Sequence, residues 1–434
     1  MNTPICDFVK KYSQSNISRL HMPGHKGINL TGCEMSDITE ISGADSLYAA
    51  DGIIAESEKN AASLFGSMAT YYSTEGSSQC IKAMLYLAKI NSKNSDFTVL
   101  AARNIHKSFI YACALLDVKI EWLFDNESEF SLCRCNVTPD MLDKKLSEIK
   151  ADAVYLTSPD YLGGELDIQS LSDVAHSHDA FMLVDNAHGA YLHFLKNPRH
   201  PADCGADVCC DSAHKTLPVL TGGAYLHVFN KTFLQDAKRA LEIFGSTSPS
   251  YLILQSLDFC NAYLATDYSR KLQKCVENVD NLKLKLTEQG WQIEKSDPLK
   301  LTICTSGMNL SDFLRKNAIE CEYEDPDYTV MMFTPESGTE IYSLLPKILG
   351  KCQIQNKQNF LKFSVPEKCC EIREALFSKN KTVSVSDSCG LIVSDTSVSC
   401  PPAVPVLVSG EKITQEAIEV FKYYGIEKIN VIAY

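Results

Sequence analysis

The sequence predicts an α/β protein: a large domain built on a mainly parallel sheet, followed by a smaller C-terminal α/β domain. Three observations predict it. Between about residues 60 and 230, short apolar runs alternate with amphipathic stretches, the pattern of βαβ units. Ser250–Gln289 holds neither Pro nor Gly and repeats its apolar residues at helical spacing, which predicts long helices connecting two domains. After Gly290 a shorter strand-and-helix pattern resumes. The 434 residues, 45% apolar and 22% charged, can bury the core of two or three domains. The same balance excludes disordered, collagen-like and coiled-coil classes.

The elements follow in order. Residues 1–50 carry turn signals (Met22-Pro23-Gly24, Lys26-Gly27, Thr31-Gly32) and little periodicity, so an extended or loop-rich arm is expected. Residues 51–249 form the large domain. Its predicted strands are Ala69–Ser73, Phe97–Ala101, Ile120–Phe124, Ala153–Thr157, Phe181–Val184, Val208–Cys210 and Ala224–Phe229. Helical patterns lie between several of them, at Cys80–Ile90, Thr138–Ile149 and Ile168–His178. Residues 250–289 are the connecting helices. Residues 290–434 form the small domain, with strands at Leu299–Cys304 and Thr329–Phe333 and a helix at Glu340–Ile348. A polar, Ser-rich stretch, Lys379–Ser399, leads to Pro401-Pro402 and a last helix from about Thr414.

Composition narrows the function. No run approaches the roughly 18 apolar residues of a membrane helix, and no signal peptide is readable, so a cytoplasmic, membrane-free protein is expected. The sequons at Asn126 and Asn136 are then silent. A net charge of −13 disfavours nucleic acid and suits a cationic substrate. The 18 Cys include no Cys-x-x-Cys, which argues against zinc and for reduced, mostly buried thiols. All ten His lie between His21 and His227, so histidine chemistry is expected in the first half.

Five motifs carry chemistry. Lys215, in Asp211-Ser-Ala-His-Lys-Thr-Leu-Pro, follows an apolar strand and so sits at the carboxyl end of the sheet, where α/β ligands bind. A lone loop lysine is ordinarily a solvated surface residue, but Ser212 and His214 beside it favour a nucleophile for carbonyls. Asp185 ends the apolar run Phe181-Met-Leu-Val and is followed by Asn-Ala187-His188-Gly. It is either a turn carboxylate or the anion that keeps a pyridinium nitrogen protonated. The 30-residue interval from Asp185 to Lys215, with a strand between, suits a pyridoxal phosphate site. Gly76-Ser77-Ser78 before a helical pattern is either an ordinary N-cap or a phosphate cradle. His106, in Arg103-Asn-Ile-His-Lys-Ser, is either a loop histidine or a ring-stacking one. His21 and His25 flank Pro23-Gly24, which excludes a helical metal pair and leaves a loop facing substrate or subunit.

These residues resemble the Orn/Lys/Arg decarboxylases of the fold type I, aspartate aminotransferase-like, pyridoxal phosphate enzymes. The likeness runs nearly end to end: His21–Gly27, Asp37–Glu40, Gly76–Ser78, Arg103–Ser108, Asp185, Ser212–Pro218, Ser246–Tyr251, Pro401–Pro405 and Gly410-Glu411. The resemblance is to short members, without the N-terminal receiver-like domain of the large ones. It implies decarboxylation of arginine, lysine or ornithine to the corresponding amine. It implies Lys215 as the covalent cofactor lysine, Asp185 at the ring nitrogen and His106 on the ring face. Gly76, Ser77, Ser78, Ser212 and His214 would hold the phosphate, with Ala187 and His188 lining the site. Thr247 would reach the phosphate of a partner subunit, so a homodimer with shared sites is implied, and a larger assembly is compatible. His176, His178, His193, His200 and His227 are left with structural roles.

Three departures stand out: Tyr48-Ala49-Ala50 after Leu47, Glu75 before Gly76, and Asp160 in Ser158-Pro-Asp-Tyr161. The two acids are expected near the pocket, where they would tune substrate choice or change the reaction. The alternatives are another fold type I enzyme, such as an aminotransferase or carbon–sulfur lyase, and a cofactor-binding homologue that does not decarboxylate.

Overall fold

The computed structural model describes residues 1–124, 131–353, 363–396 and 402–433. The sequon at Asn126, part of the Ser-rich stretch and Pro401 lie outside them. The fold is mixed α/β, and its large sheet is mostly parallel. That sheet holds β1 (Ala69–Ser73), β2 (Thr98–Ala102), β3 (Lys119–Leu123), β4 (Ala153–Thr157), β5 (Phe181–Asp185), β6 (Val208–Asp211) and β7 (Ala224–Val228). Each lies within a residue or two of its predicted position. Their runs are legible because most are covered on both faces and need continuous apolar sequence. Among the described residues, no helix is long and apolar enough to cross a membrane.

The chain divides into two compact units. The first comprises Met1–Ser95 and Ile168–Leu272. Its strands neighbour one another in the order β1-β7-β6-β5. β5 and β6 are parallel, with Asp185 opposite Cys210. β7 runs antiparallel to both β6 and β1. Phe65 is buried in the core, with its ring 4.5 Å from that of His227 and 5.2 Å from that of Phe194. Of the predicted long helices, Tyr251–Leu264 lies in this unit, and Tyr268–Glu288 belongs from Gln273 on to the second.

The arm differs from expectation at its start: Pro4–Ser13 is a helix. Ile5 and Val9 face inward, and Pro4 occupies the first turn, where a missing N–H costs nothing. Its cap is remote. The Asp258 carboxylate accepts the N–H groups of Ile5 and Cys6, both at 3.0 Å, and the Ser57 hydroxyl at 2.5 Å. No local signal announces a cap supplied 250 residues away. Asp258→Ala is expected to release this helix, at a cost of about 1–2 kcal/mol in its capping. Limited proteolysis should then cut within residues 1–13 before the rest of the chain, and an unchanged cleavage pattern would refute the assignment.

The second unit comprises Asp96–Asp167 and Gln273–Tyr434. Here β4, β2 and β3 are neighbours in that order and parallel. A four-stranded antiparallel sheet holds β8 (Gln292–Ile293), β9 (Lys300–Cys304), β10 (Tyr323–Glu324) and β11 (Tyr328–Met332) in the order β10-β11-β9-β8. A three-stranded sheet holds β12 (Asn380–Ser384), β13 (Val393–Asp395) and β14 (Lys428–Ile432) in the order β12-β14-β13. The predicted last helix is Gln415–Tyr423, with the Thr414 side chain accepting Ala417 N–H. Val330, Val393, Ile413, Phe421 and Val431 share one buried cluster.

Candidate active site

Three segments of the first unit carry predicted residues, and a fourth joins them. Two are strand ends. Asp185 closes β5 and is 2% exposed. Its Oδ1 accepts the Ala187 N–H at 3.2 Å and the Cys210 thiol at 3.6 Å. Burial, then the nearby Asp185 carboxylate, raises the Cys210 thiol well above its ordinary range, so that thiol stays a neutral donor. The β5–β6 register places the end of β6 beside this carboxylate.

The helix Ala213–Thr216 follows β6 after Ser212. Lys215 lies on this turn, with Nζ 3.1 Å from Nε2 of His188. His188 is buried, three residues past Asp185. The two motifs read separately in the sequence therefore meet: the lysine amine abuts the imidazole carried by the Asp185 loop. The pair can exchange a proton between amine and ring.

The third segment is the turn from β1 into the helix Ser77–Asn91. Gly76 has φ 74°, a left-handed value that favours glycine, and open space stands where a Cβ would lie. Ser212 Oγ–H donates to Ser77 Oγ at 2.7 Å, tying the turn to the lysine segment. The first N–H groups of a helix have no acceptor within it and, with the helix dipole, favour an anion. The fourth segment was not anticipated: Gly222-Gly223, just before β7. Gly76 N–H donates to Gly222 O at 2.7 Å, and His214 Nδ1 lies 3.0 Å from Gly223 O. A Cβ on Gly223 would come within 2.3 Å of Val219 Cγ1. The Gly-Gly pair ahead of a strand was its only signal.

The departures are largely absorbed by structure. Glu75 accepts the Ser246 N–H in a short hydrogen bond, anchoring the loop that carries exposed Thr247. Tyr48 Oη accepts from Gln79 Nε2 at 2.8 Å, and Gln79 Oε1 lies 2.5 Å from Ser73 Oγ, so both brace the Gly76 turn from behind. Asp160 belongs to the second unit, where its carboxylate accepts the Gly164 N–H at 2.7 Å and pairs with Arg134 at 3.6 Å. Burial raises its pKa, with Arg134 opposing. It is a turn-stabilising residue there.

His106 also belongs to the second unit. It caps the helix Lys107–Leu116, with Nδ1 accepting the Ser108 N–H at 3.1 Å. Its loop is clamped to the Pro402–Glu411 segment. Lys107 N–H donates to Ala403 O at 2.9 Å, and Arg103 pairs with buried Glu411 at 2.6 Å. The expected family segments Arg103–Ser108 and Gly410-Glu411 thus meet within one unit.

The residues present fit pyridoxal phosphate. A primary amine, a buried carboxylate on the neighbouring strand end and a hydroxyl-flanked helix N-terminus supply one group each for its aldehyde, ring nitrogen and phosphate. The open volume at Gly76 leaves room for the phosphate.

Comparisons with known proteins agree. The family model "Orn/Lys/Arg decarboxylase, major domain" matches residues 3–304. An arginine decarboxylase from Bacillus subtilis is 27% identical over 97% of this chain and 93% of its own length. One from Halalkalibacterium halodurans is 26% identical over 95% and 91%. A crystal structure of a lysine decarboxylase from Francisella novicida superposes with a TM-score of 0.83 over 99% of this chain and 81% of that one, at 17% identity, which speaks to the fold.

Proposed function

Because the chain belongs to the Orn/Lys/Arg decarboxylase family, we propose that it removes the α-carboxylate of a basic amino acid as CO2, leaving the corresponding amine. The observation that carries the reading is Lys215 and the buried Asp185 on adjoining strand ends, with His188 at 3.1 Å from the lysine amine. Bound here, pyridoxal phosphate supplies an electron-withdrawing ring that accepts the electron pair of the breaking bond.

Lys215 would hold the cofactor through its side-chain amine. Its amine, next to His188, holds the proton returned to the α-carbon. Asp185 keeps the ring nitrogen protonated by its charge. Ser77, Ser78, Ser212 and the helix N-terminus bind the phosphate, with His214 bracing the Gly222-Gly223 turn. Thr247, exposed in its own subunit, reaches the partner's phosphate in a homodimer. The arm supports that assembly: Leu20 is 92%, Met22 70%, Ile28 65% and Leu30 75% exposed, an apolar run suited to a second copy.

Arginine is the first substrate to test, since several of the relatives matched along nearly their whole length are arginine decarboxylases. CO2 release should be measured with arginine, lysine and ornithine, each with stoichiometric amine. A keto acid without CO2 would replace this reading with transamination, and no turnover of any of the three would end it.

A further inference from the structure

Directly before the lysine segment, Asp211 ends β6 with its side chain completely buried. A buried carboxylate that no mechanistic step uses needs an explanation, since desolvating it is costly. Three side chains answer it. Asn186 Nδ2 donates to Oδ1 at 2.6 Å, His200 Nε2 lies 3.0 Å from Oδ2, and His227 Nε2 lies 3.1 Å from the same oxygen. All three donors are themselves fully buried. Burial works against ionisation of Asp211, but the hydrogen bonds from His200 and His227 oppose it and hold the carboxyl below its usual range.

His200, Asp211 and Cys209 stand close enough to suggest a metal site. The tautomer argues otherwise. His200 Nδ1 accepts the Ala202 N–H at 3.1 Å, so the neutral ring carries its proton on Nε2, facing Asp211. A nitrogen with a proton donates and cannot ligate. Metal-bound histidines present the opposite arrangement, with the second nitrogen donating.

The connections of Asp211 show what it does instead. Asn186 immediately follows Asp185. It is stapled to the end of β6 twice, by its side chain to Asp211 and by its N–H to Cys210 O at 3.0 Å. Past Asp211, Ser212 reaches Ser77, and Ser212 O accepts the Lys215 N–H at 2.9 Å. One carboxylate therefore joins the Asp185 loop to the lysine turn. From behind, His227 is braced by Thr70 Oγ1, 2.7 Å from its Nδ1.

We propose that Asp211 is a positioning residue, whose buried carboxylate fixes the Asp185 carboxylate and the Lys215 amine at the spacing one cofactor must span. The inference rests on the pyridoxal phosphate reading above. It differs from a general core role because it acts through Asn186 on the ring-nitrogen partner. Displacing reactive groups by about 1 Å can cost about 100-fold in rate.

The test uses the full chain, loaded with pyridoxal phosphate, as wild type, Asp211→Asn, Asn186→Ala and the double variant. Cofactor dissociation constants, the visible circular dichroism band of the bound cofactor, and kcat and KM are measured. Each single variant is expected to weaken cofactor binding about tenfold, alter the band and lower kcat about 100-fold with little change in KM. The double variant should fall short of additive loss, because the single acceptor oxygen left by Asp211→Asn cannot serve both Asn186 and the two imidazoles, so both variants disturb one network. Wild-type affinity and band in the folded variants, or strictly additive losses, overturn the proposal. If Asp211→Asn does not fold, Asn186→Ala decides alone: wild-type affinity and band there overturn it. A wild-type chain that binds no pyridoxal phosphate overturns the functional reading and this inference together, whereas normal wild-type binding with unaltered variants overturns only this inference.

Discussion

Lys215→Ala is expected to abolish the visible absorption band of the cofactor-loaded protein and to lower kcat/KM by about 10,000-fold or more, about 5 kcal/mol in transition-state stabilisation. The size follows from the two jobs proposed for one amine. As tether it presents the cofactor already activated toward the substrate amine, and as proton carrier it completes the product. Removing both cannot be compensated by His188, which touches the amine at 3.1 Å but cannot bond covalently to the aldehyde in its place. Lys215→Arg separates charge from chemistry: it keeps a cation beside His188 and loses the tether. It should bind cofactor without the band. Borohydride reduction of the wild type followed by peptide mass spectrometry should place the label on Lys215. A band that survives Lys215→Ala, or a label on another lysine, would reject the assignment.

The candidate site was readable where chemistry directly follows a strand. Asp185 and Lys215 each come just after a buried apolar run, so one-dimensional position gave three-dimensional place: the carboxyl end of a sheet. Ser77 was readable because a glycine turn and a helix start are both local. What escaped depends on partners distant in sequence. Gly222-Gly223 shows in the sequence only as a Gly pair ahead of a strand, because the groups that bond its carbonyls come from Gly76 and His214. The Pro4–Ser13 helix needed Asp258 as its cap. The strands β12 and β13 fall in a stretch read as polar and Ser-rich, because β14 supplies their hydrogen bonds from beyond residue 427. The acids Glu75 and Asp160 were expected near the pocket from their places in the family motifs. Their carboxylates bind Ser246 N–H, and Gly164 N–H with Arg134. Charge in a sequence does not say whether a neighbour has already claimed it.

Asp185→Asn is expected to lower kcat by about 100- to 10,000-fold while Lys215 still forms its covalent bond. The substitution is nearly isosteric and keeps an oxygen for the Ala187 N–H, which Asp185 holds at 3.2 Å. Packing is therefore preserved and the charge alone is lost. In a site where Asp185 is 2% exposed, little solvent screens that charge, so its effect on a ring nitrogen held beside it would be large. The sign is fixed: an anion beside the nitrogen favours its protonated form, and the protonated ring is the better electron acceptor. Asp185→Ala should lose more, because it also leaves a cavity and unpairs the Ala187 N–H. A cofactor analogue with carbon in place of the ring nitrogen separates charge from fold. Loaded with it, wild type and Asp185→Asn should turn over at the same low rate, since the nitrogen through which the carboxylate acts is gone. A further loss from Asp185→Asn with that analogue would mean that the carboxylate works elsewhere in the site, and near wild-type turnover of Asp185→Asn with pyridoxal phosphate itself would remove it from the mechanism.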